Sequence, residues 1–127
     1  MKPNNAIKIP CNDEYSFFRN WMVLLKPYHN LSSKEIDVAA SYLTERYHLS
    51  KAINDINLLN EVLMNEDTKR KVRERCKISL SYFQVVMSKF RKTGFIVNNT
   101  INSRYIPSIT ESINGFTLLF YFLLDDK

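Results

Sequence analysis

The segment of residues 76–107, CKISLSYFQVVMSKFRKTGFIVNNTINSRYIP, constrains the fold more than any other part of the chain. Ser79 can cap a helix, and the apolar residues that follow recur at the spacing of one helical face. These residues are Phe83, Val86, Met87 and Phe90, with Leu80 at the margin of the face. Gly94 can end this helix in a left-handed conformation, and FIV, NNT and INSRYI then predict a strand, a turn and a strand.

The residues before this segment predict further helices. The first begins at residue 12 or 13 and ends before Pro27. The second spans about residues 33–48 and starts with a capping box, in which the side chains of Ser32 and Glu35 each bond to the other residue's amide. Both helices carry apolar residues at helical spacing, so both are expected to pack in a core.

Two more helices are predicted between the capping box and the segment above. Ser50 can cap the third helix, and Asn65 either ends it or caps the fourth. The apolar face of the third helix holds Ile53, Ile56, Leu59, Val62 and Leu63. The fourth helix, EDTKRKVRERC, has acidic residues in its first turn and basic residues near its end, as the helix dipole favours. Only Val72 and Cys76 of this helix are expected to be buried.

This order of elements is that of a winged helix-turn-helix: mainly α-helical, with a small antiparallel β wing. At 127 residues the chain is long enough for one hydrophobic core and too short for two linked domains. We therefore expect a single domain over residues 1–127. It consists of an N-terminal arm and helix (1–30), the helices, helix-turn-helix and wing (31–107), and a C-terminal strand (108–127).

Both ends of the chain are more apolar than a minimal fold of this kind requires. Ile7 and Ile9 alternate with Lys8 before Pro10, which predicts a short edge strand. The run FTLLFYFLL, residues 116–124, follows the turn signal ING and predicts a strand that is apolar on both faces and needs cover on both. That cover comes either from a neighbouring subunit or from the N-terminal arm of the same chain. The run is half the length that a membrane-spanning helix needs.

Positive charge is concentrated in one part of the chain. The formal net charge is +5, but residues 69–104 contain ten basic residues and one acidic residue, Glu74, so this segment carries +9 and the rest −4. A polyanion such as double-stranded DNA would dock there, although a solvated helix face has the same composition. The candidate nucleic-acid-binding residues are Lys69, Arg70, Arg73, Ser81, Gln84, Ser88, Lys89, Lys92 and Arg104.

The outward face of the helix after Ser79 has few side chains suited to recognising bases. Arg, Asn and Gln make the bidentate contacts that discriminate bases, each worth about 1–3 kcal/mol. This face offers Gln84, two serines and an exposed Val85. Phosphate contact needs only Lys and Arg. We therefore expect weak, salt-sensitive contact with DNA and little sequence specificity.

The sequence lacks the motifs of catalysis. There is no glycine-rich phosphate loop, nucleophile elbow or metal-ligand cluster, and His29 and His48 are expected at the surface or as caps. Cys11 and Cys76 match neither a disulfide framework nor a paired metal site, which fits synthesis in a reducing cytoplasm. We expect no enzymatic activity, cofactor, metal, small-molecule substrate or membrane association.

The apolar ends supply candidate protein-contact residues instead. Aromatic residues and Met are enriched at protein interfaces. The candidates are Phe17, Phe18, Trp21 and Met22 in the first helix, and Phe116, Leu118, Phe120 and Phe122 in the tail. A head-to-tail ring of subunits would use such ends.

Four stretches of the chain carry a family resemblance: LLKPYHNLSSKEIDVAASYL, KRKVRERCKISLSYFQVVMSKFRKTGFI, INSRYIP and GFTLLFYF. They resemble small winged-helix proteins encoded by crAss-like tailed bacteriophages of gut bacteria, over roughly residues 14–122. Lys77 departs from the pattern, because the turn between the two helices often has a glycine there.

The resemblance implies a bacteriophage origin and leaves the role open. One role is a virion part, a head-tail connector subunit in a ring near the portal, whose partners are its own copies and other virion proteins. Another is a winged-helix transcriptional regulator that binds double-stranded DNA, and a third is a small terminase-like packaging factor. The fold alone does not decide between these roles. We rank the connector first, made in the host cytoplasm and located in the virion, because the recognition face has few base-reading side chains and because the apolar ends and the first helix suit protein contacts.

Overall fold

The computed structural model describes residues 7–112, 115–118, 120 and 123–124. Six α-helices lie in this part of the chain: α1 Glu14–Leu24, α2 Lys26–His29, α3 Ser33–Ser50, α4 Ile56–Leu63, α5 Glu66–Cys76 and α6 Leu80–Thr93. Two antiparallel hairpins follow: β1 Ile96–Val97 with β2 Thr100–Ile101, and β3 Thr110–Ser112 with β4 Gly115–Thr117. The predicted mainly helical class with a small antiparallel sheet is confirmed.

Helix α3 forms the centre of the helical packing. It begins as predicted, since the Glu35 amide donates to the Ser32 hydroxyl at 3.2 Å and the Ser32 amide donates to the Glu35 carboxylate at 2.8 Å. Residues 38–45 are all buried, so this part of the helix is enclosed on every side. Helices α1, α4 and α5 pack around it.

The inner face of α6 is the predicted one. The residues Phe83, Val86, Met87 and Phe90 are buried. Ser79 caps the helix by accepting from the Tyr82 amide at 3.1 Å, and Gly94 ends it at a φ of +82°. Phe90 then packs against Phe95, with ring centroids 4.8 Å apart, which joins the helix to the first hairpin.

The connection between α5 and α6 is a left-handed turn at a residue other than glycine. Asn65 caps α5 by accepting from the Thr68 amide at 2.9 Å, so of the two predicted roles it takes the cap of α5. Lys77 ends α5 at a φ of +55°, a conformation that costs an L-residue about 1 kcal/mol. The turn therefore forms without the glycine that this position favours.

The β1–β2 hairpin closes through two asparagines. Asn98 and Asn99 have φ values of +53° and +59°, as a two-residue type I′ turn requires, and asparagine tolerates this conformation better than most residues. Ile96 pairs with Ile101, and both are buried against the helices. The second predicted strand is shorter than expected, because a 3₁₀ turn begins at Ser103.

The prediction for the start of α4 was wrong. Ser50 is the last residue of α3, and its hydroxyl donates to the Tyr47 carbonyl at 2.7 Å. Asp55 caps α4 instead, accepting from the Asn57 amide at 2.9 Å. Of the predicted apolar face, Leu59 and Leu63 are buried.

The two predictions for the chain ends were also wrong in part. Ile7 and Ile9 form no strand and are exposed. In the tail, strand β4 ends at Thr117 and pairs with β3, with Phe116 opposite Glu111, rather than with the arm. Closing a hairpin within one short segment costs less chain entropy than bringing the two ends of the chain together.

Candidate nucleic-acid and protein interfaces

The outward face of α6 has the predicted composition. Ser81, Gln84, Ser88 and Lys92 are exposed, and Lys89 is half-buried. Val85 lies among them with 62% of its surface exposed. Leu80 and Tyr82 add further exposed apolar surface near the start of the helix. The face therefore combines hydroxyls, one amide and apolar side chains, and its positive charge lies toward the C-terminal half.

Two candidate basic residues of α5 are paired with acids of the same helix. The Lys69 amine lies 3.9 Å from a Glu66 carboxylate oxygen. The Arg70 guanidinium lies 3.1 Å from a carboxylate oxygen of Asp67. Exposed pairs of this kind contribute about 0–1 kcal/mol. The acids weaken the local positive field, but both cations remain able to exchange their partner for a phosphate.

Arg73 faces the interior more than its sequence position indicated. It is half-buried, and its guanidinium carbon lies 5.6 Å from the centroid of the Phe83 ring. The Nη1 atom of Arg73 and the hydroxyl oxygen of Tyr42 are both enclosed, and neither has a hydrogen-bond partner among the described residues. Burial raises the pKa of Tyr42 well above its usual value. Arg73 thus contributes to the packing of α5 against α6.

Arg75, one of the ten basic residues between positions 69 and 104, links α5 to α3. Its guanidinium donates to a Glu45 carboxylate oxygen and to the Ser41 hydroxyl, each at 2.7 Å. These bonds join α5 to α3 through a carboxylate that is itself buried. The charge of Arg75 is therefore paired with Glu45 within the subunit, although part of the Arg75 side chain is exposed.

Three more exposed basic residues lie at or near the end of α6. Arg91 and Lys92 are exposed in its last turn. The Asn102 side chain donates to the Gly94 carbonyl at 2.9 Å, and the Asn102 amide donates to the Phe95 carbonyl at 2.8 Å. These bonds hold the segment that carries the exposed Arg104 beside the end of the helix. The structure thus brings part of the predicted basic set together here.

The protein-contact candidates of α1 were mostly misassigned. Phe17, Phe18 and Met22 are buried in the subunit, because α1 packs its apolar face against α3. The Phe17 ring lies 4.6 Å from that of Phe116, and Phe18 lies 5.8 Å from Tyr47. These residues are core residues and are not available to a partner.

The tail candidates have several environments. Phe116 and Leu118 are half-buried against the core, and Phe120 is half-exposed with its ring 6.0 Å from that of Trp21. Trp21 itself is half-buried. Phe122 lies outside the described residues.

Two strongly exposed apolar side chains were not among the predicted contact residues. Leu123 and Leu124 are 89% and 94% exposed. The sequence places them at the end of a predicted apolar strand, residues 116–124, that needs cover on both faces. Their position next to two aspartates, Asp125 and Asp126, was the feature that could have identified them as surface residues.

A cleft of 370 Å³ lies between α3, α4 and the β1–β2 hairpin. Its lining includes Arg46, Ile56, Asn60, Val97, Asn98 and Ser103. The Arg46 guanidinium makes no hydrogen bond or ion pair with any residue that the structure describes, and burial lowers its pKa. Sequence reasoning missed Arg46, because it lies outside any recognisable motif.

The imidazole of His29 and the thiol of Cys76 are both buried within the subunit. The His29 ring is buried; its Nε2 donates to the Met22 carbonyl at 2.8 Å, and its Nδ1 accepts from the Leu31 amide at 2.9 Å. Burial lowers the pKa of His29 and raises that of the Cys76 thiol. Among the described residues, no group of three or more His, Cys, Asp or Glu side chains is placed to hold a metal ion. No helix in the same part of the chain is both long enough and apolar enough to cross a membrane.

Comparison with known proteins gave no match. The chain matches no protein-family model, no curated protein and no solved structure.

Proposed function

We propose that the chain is a non-enzymatic structural protein of a bacteriophage virion, a head-tail connector subunit with a winged-helix fold. The order of α5, the left-handed turn at Lys77, α6 and the β1–β2 hairpin supports the winged-helix part of the proposal. The phage origin rests on the resemblance of residues 14–122 to the crAss-like phage proteins. In this arrangement α6 takes the recognition position.

The observation that carries the proposal is the exposed Val85 in the outward face of α6. A helix that distinguishes bases presents long donors and acceptors at this place, whereas Val85 has Ser81 and Ser88 beside it. An apolar residue surrounded by hydroxyls suits contact with a protein surface. We therefore assign the face to assembly rather than to sequence recognition.

The exposed leucines of the tail support assembly independently. Leu123 and Leu124 present two adjacent apolar side chains to water. Contiguous exposed apolar surface marks interaction sites in soluble proteins. A ring of identical subunits would bury such surface in a head-to-tail contact.

The basic residues around the end of α6 fit a position close to DNA. Arg91, Lys92 and Arg104 are exposed and can contact phosphates without distinguishing the sequence. In a connector near the portal, these residues would face the DNA that leaves the capsid. Binding by phosphate contact alone weakens steeply as the salt concentration rises.

Mass spectrometry of purified virions tests the proposal directly. We expect the protein in the particle, self-association of the purified chain in sedimentation experiments, and equal shifts of unrelated DNA duplexes at low salt only. Absence from the particle together with a footprint on one defined phage operator at physiological salt would refute the connector role.

A transcriptional regulator is the second candidate, and the exposed Gln84 favours it. The Gln84 side chain makes no hydrogen bond to any described residue and lies on the same helix as Lys89 and Lys92. An adenine can be recognised by such an amide. In a regulator, Gln84→Ala and Lys89→Ala would abolish a sequence-specific complex while leaving the circular dichroism spectrum unchanged.

A further inference from the structure

The cleft beside Arg46 holds a cation that no described residue neutralises. Arg46 and Asn60 are both half-buried, and neither side chain bonds to any residue within the described ranges. A guanidinium that has lost part of its hydration is stabilised by a carboxylate, which it can bind through two parallel hydrogen bonds. The cleft is therefore suited to an incoming carboxylate.

The rest of the cleft is suited to aliphatic side chains. Ile56 on α4 and Val97 on the hairpin line it, and each leaves about half of its surface to solvent. The volume of 370 Å³ is at the lower end for sites that hold small ligands or a few side chains. A short peptide with leucine next to aspartate would fill both the apolar and the charged part.

The chain itself contains a segment of this chemistry. Leu123 and Leu124 are almost fully exposed, and Asp125 and Asp126 follow them in the sequence. Because both leucines are exposed in the subunit, they do not occupy its own cleft. A second copy of the chain can therefore supply the occupant.

We infer that the Arg46 cleft of one copy binds residues 123–126 of a second copy, with the leucines against Ile56 and Val97 and an aspartate on Arg46. The cleft and the tail are different surfaces, so the contact is head-to-tail and gives a ring when the rotation between copies closes. This inference deepens the assembly part of the proposed function and rests on it.

A charge-removing substitution in the full chain tests the contact. We expect Arg46→Gln to raise the dissociation constant of self-association about tenfold or more in sedimentation experiments, because the aspartate loses its charged partner. Lys34→Gln is the matched control: the same charge is removed from the exposed first turn of the same helix, about 18 Å away. It should leave association unchanged.

Charge reversal distinguishes a direct contact from a change in folding. Arg46→Glu should prevent association, and Arg46→Glu combined with Asp125→Lys and Asp126→Lys should restore it. A synthetic peptide of residues 120–127, FYFLLDDK, should compete with association and shift the amide signals of Arg46, Asn98 and Ser103 in nuclear magnetic resonance spectra. The same peptide with both aspartates replaced by asparagine should do neither.

The outcomes separate the two proposals. Association of Arg46→Gln at the wild-type level overturns the cleft contact and leaves the connector proposal standing. A wild-type chain that is monomeric at every concentration, with no response to the peptide, overturns both. A monomer that binds the peptide only after its own tail is removed at residue 118 shows that the tail fills its own cleft, which also overturns the contact between copies.

Discussion

The indole nitrogen of Trp21 donates a hydrogen bond of 2.8 Å to the main-chain carbonyl of Tyr105, which lies 84 residues further along the chain. This bond joins α1 to the segment after the β1–β2 hairpin. Tyr105 also stacks near Phe95 and His29, with centroids 5.6 and 5.9 Å away. The only tryptophan of the chain therefore lies where the first helix, the hairpin and the tail meet.

Trp21→Phe should lower the free energy of unfolding by about 1–2 kcal/mol, because the Tyr105 carbonyl loses its donor while most of the apolar contact remains. Tyr28→Phe, at an exposed position, should change it by less than about 0.5 kcal/mol. Urea denaturation followed by circular dichroism measures both. Equal effects of the two variants would contradict a structural role for the indole bond.

Arg75→Met should destabilise the fold by about 2–3 kcal/mol, because it leaves the buried Glu45 carboxylate without its main partner. Arg70→Met removes a cation from the same helix, where the partner Asp67 is exposed, and should cost less than about 1 kcal/mol. Thermal and urea denaturation of both variants give the comparison. If the Arg70 variant loses as much stability, the bond between Arg75 on α5 and Glu45 on α3 does not explain the loss in Arg75→Met.

Tyr42→Phe should leave stability unchanged or raise it by up to about 1 kcal/mol, because the hydroxyl is buried and has no hydrogen-bond partner in the described part of the chain. Thr44→Val is the opposite case: its buried hydroxyl donates to the Ala40 carbonyl at 2.8 Å, so its removal should cost about 1 kcal/mol. A marked loss of stability in Tyr42→Phe would indicate an ordered water bonded to that hydroxyl.

Stability should fall as the pH is lowered below about 6.5, the ordinary pKa of histidine. Burial holds the pKa of folded His29 below that value, so the unfolded chain binds the proton first and protonation favours unfolding. Above pH 6.5 the stability that the neutral His29 contributes is fully present. Urea midpoints between pH 7.5 and 5 should depend less on pH in His29→Gln than in the wild type. An unchanged pH dependence in His29→Gln would contradict this role of the buried imidazole.

Lys92→Gln and Arg104→Gln should each weaken binding to any duplex equally and lower the slope of log affinity against log salt by about 1, as expected for the loss of one phosphate contact. Lys34→Gln should change neither the affinity nor the slope. Fluorescence anisotropy with two duplexes of unrelated sequence, over a series of salt concentrations, measures this. A loss confined to one sequence would support the regulator instead of the connector.

The elements that could be predicted from sequence are those with signals inside the element itself. Ser79 and Gly94 mark the two ends of α6, and the adjacent Asn98 and Asn99 mark the hairpin turn. The start of α4 could not be predicted in this way, since Ser50 and Asp55 are both competent caps. The choice between them depends on how far α3 continues, and that depends on tertiary packing.

The candidate sites were less predictable, because a sequence does not show which partner a side chain meets. Its place in the basic segment predicts an outward cation at Arg75, but in the structure Arg75 donates to Glu45, 30 residues away in the chain. Arg46 is the reverse case, a half-buried cation that no described residue neutralises. Phe17 and Phe18 are of a residue type that is common at interfaces, but α3 packs over them and they belong to the core.

The enclosure of residues 38–45 of α3 has a consequence for how this chain can vary. All eight of these side chains are buried, so a larger or charged replacement in the octet would displace neighbouring groups. A saturation mutagenesis library selected for folding would therefore retain close to the parental residues there. Diversity would accumulate on α4 and on the outer side of α6, where new contacts can be gained without rebuilding the interior.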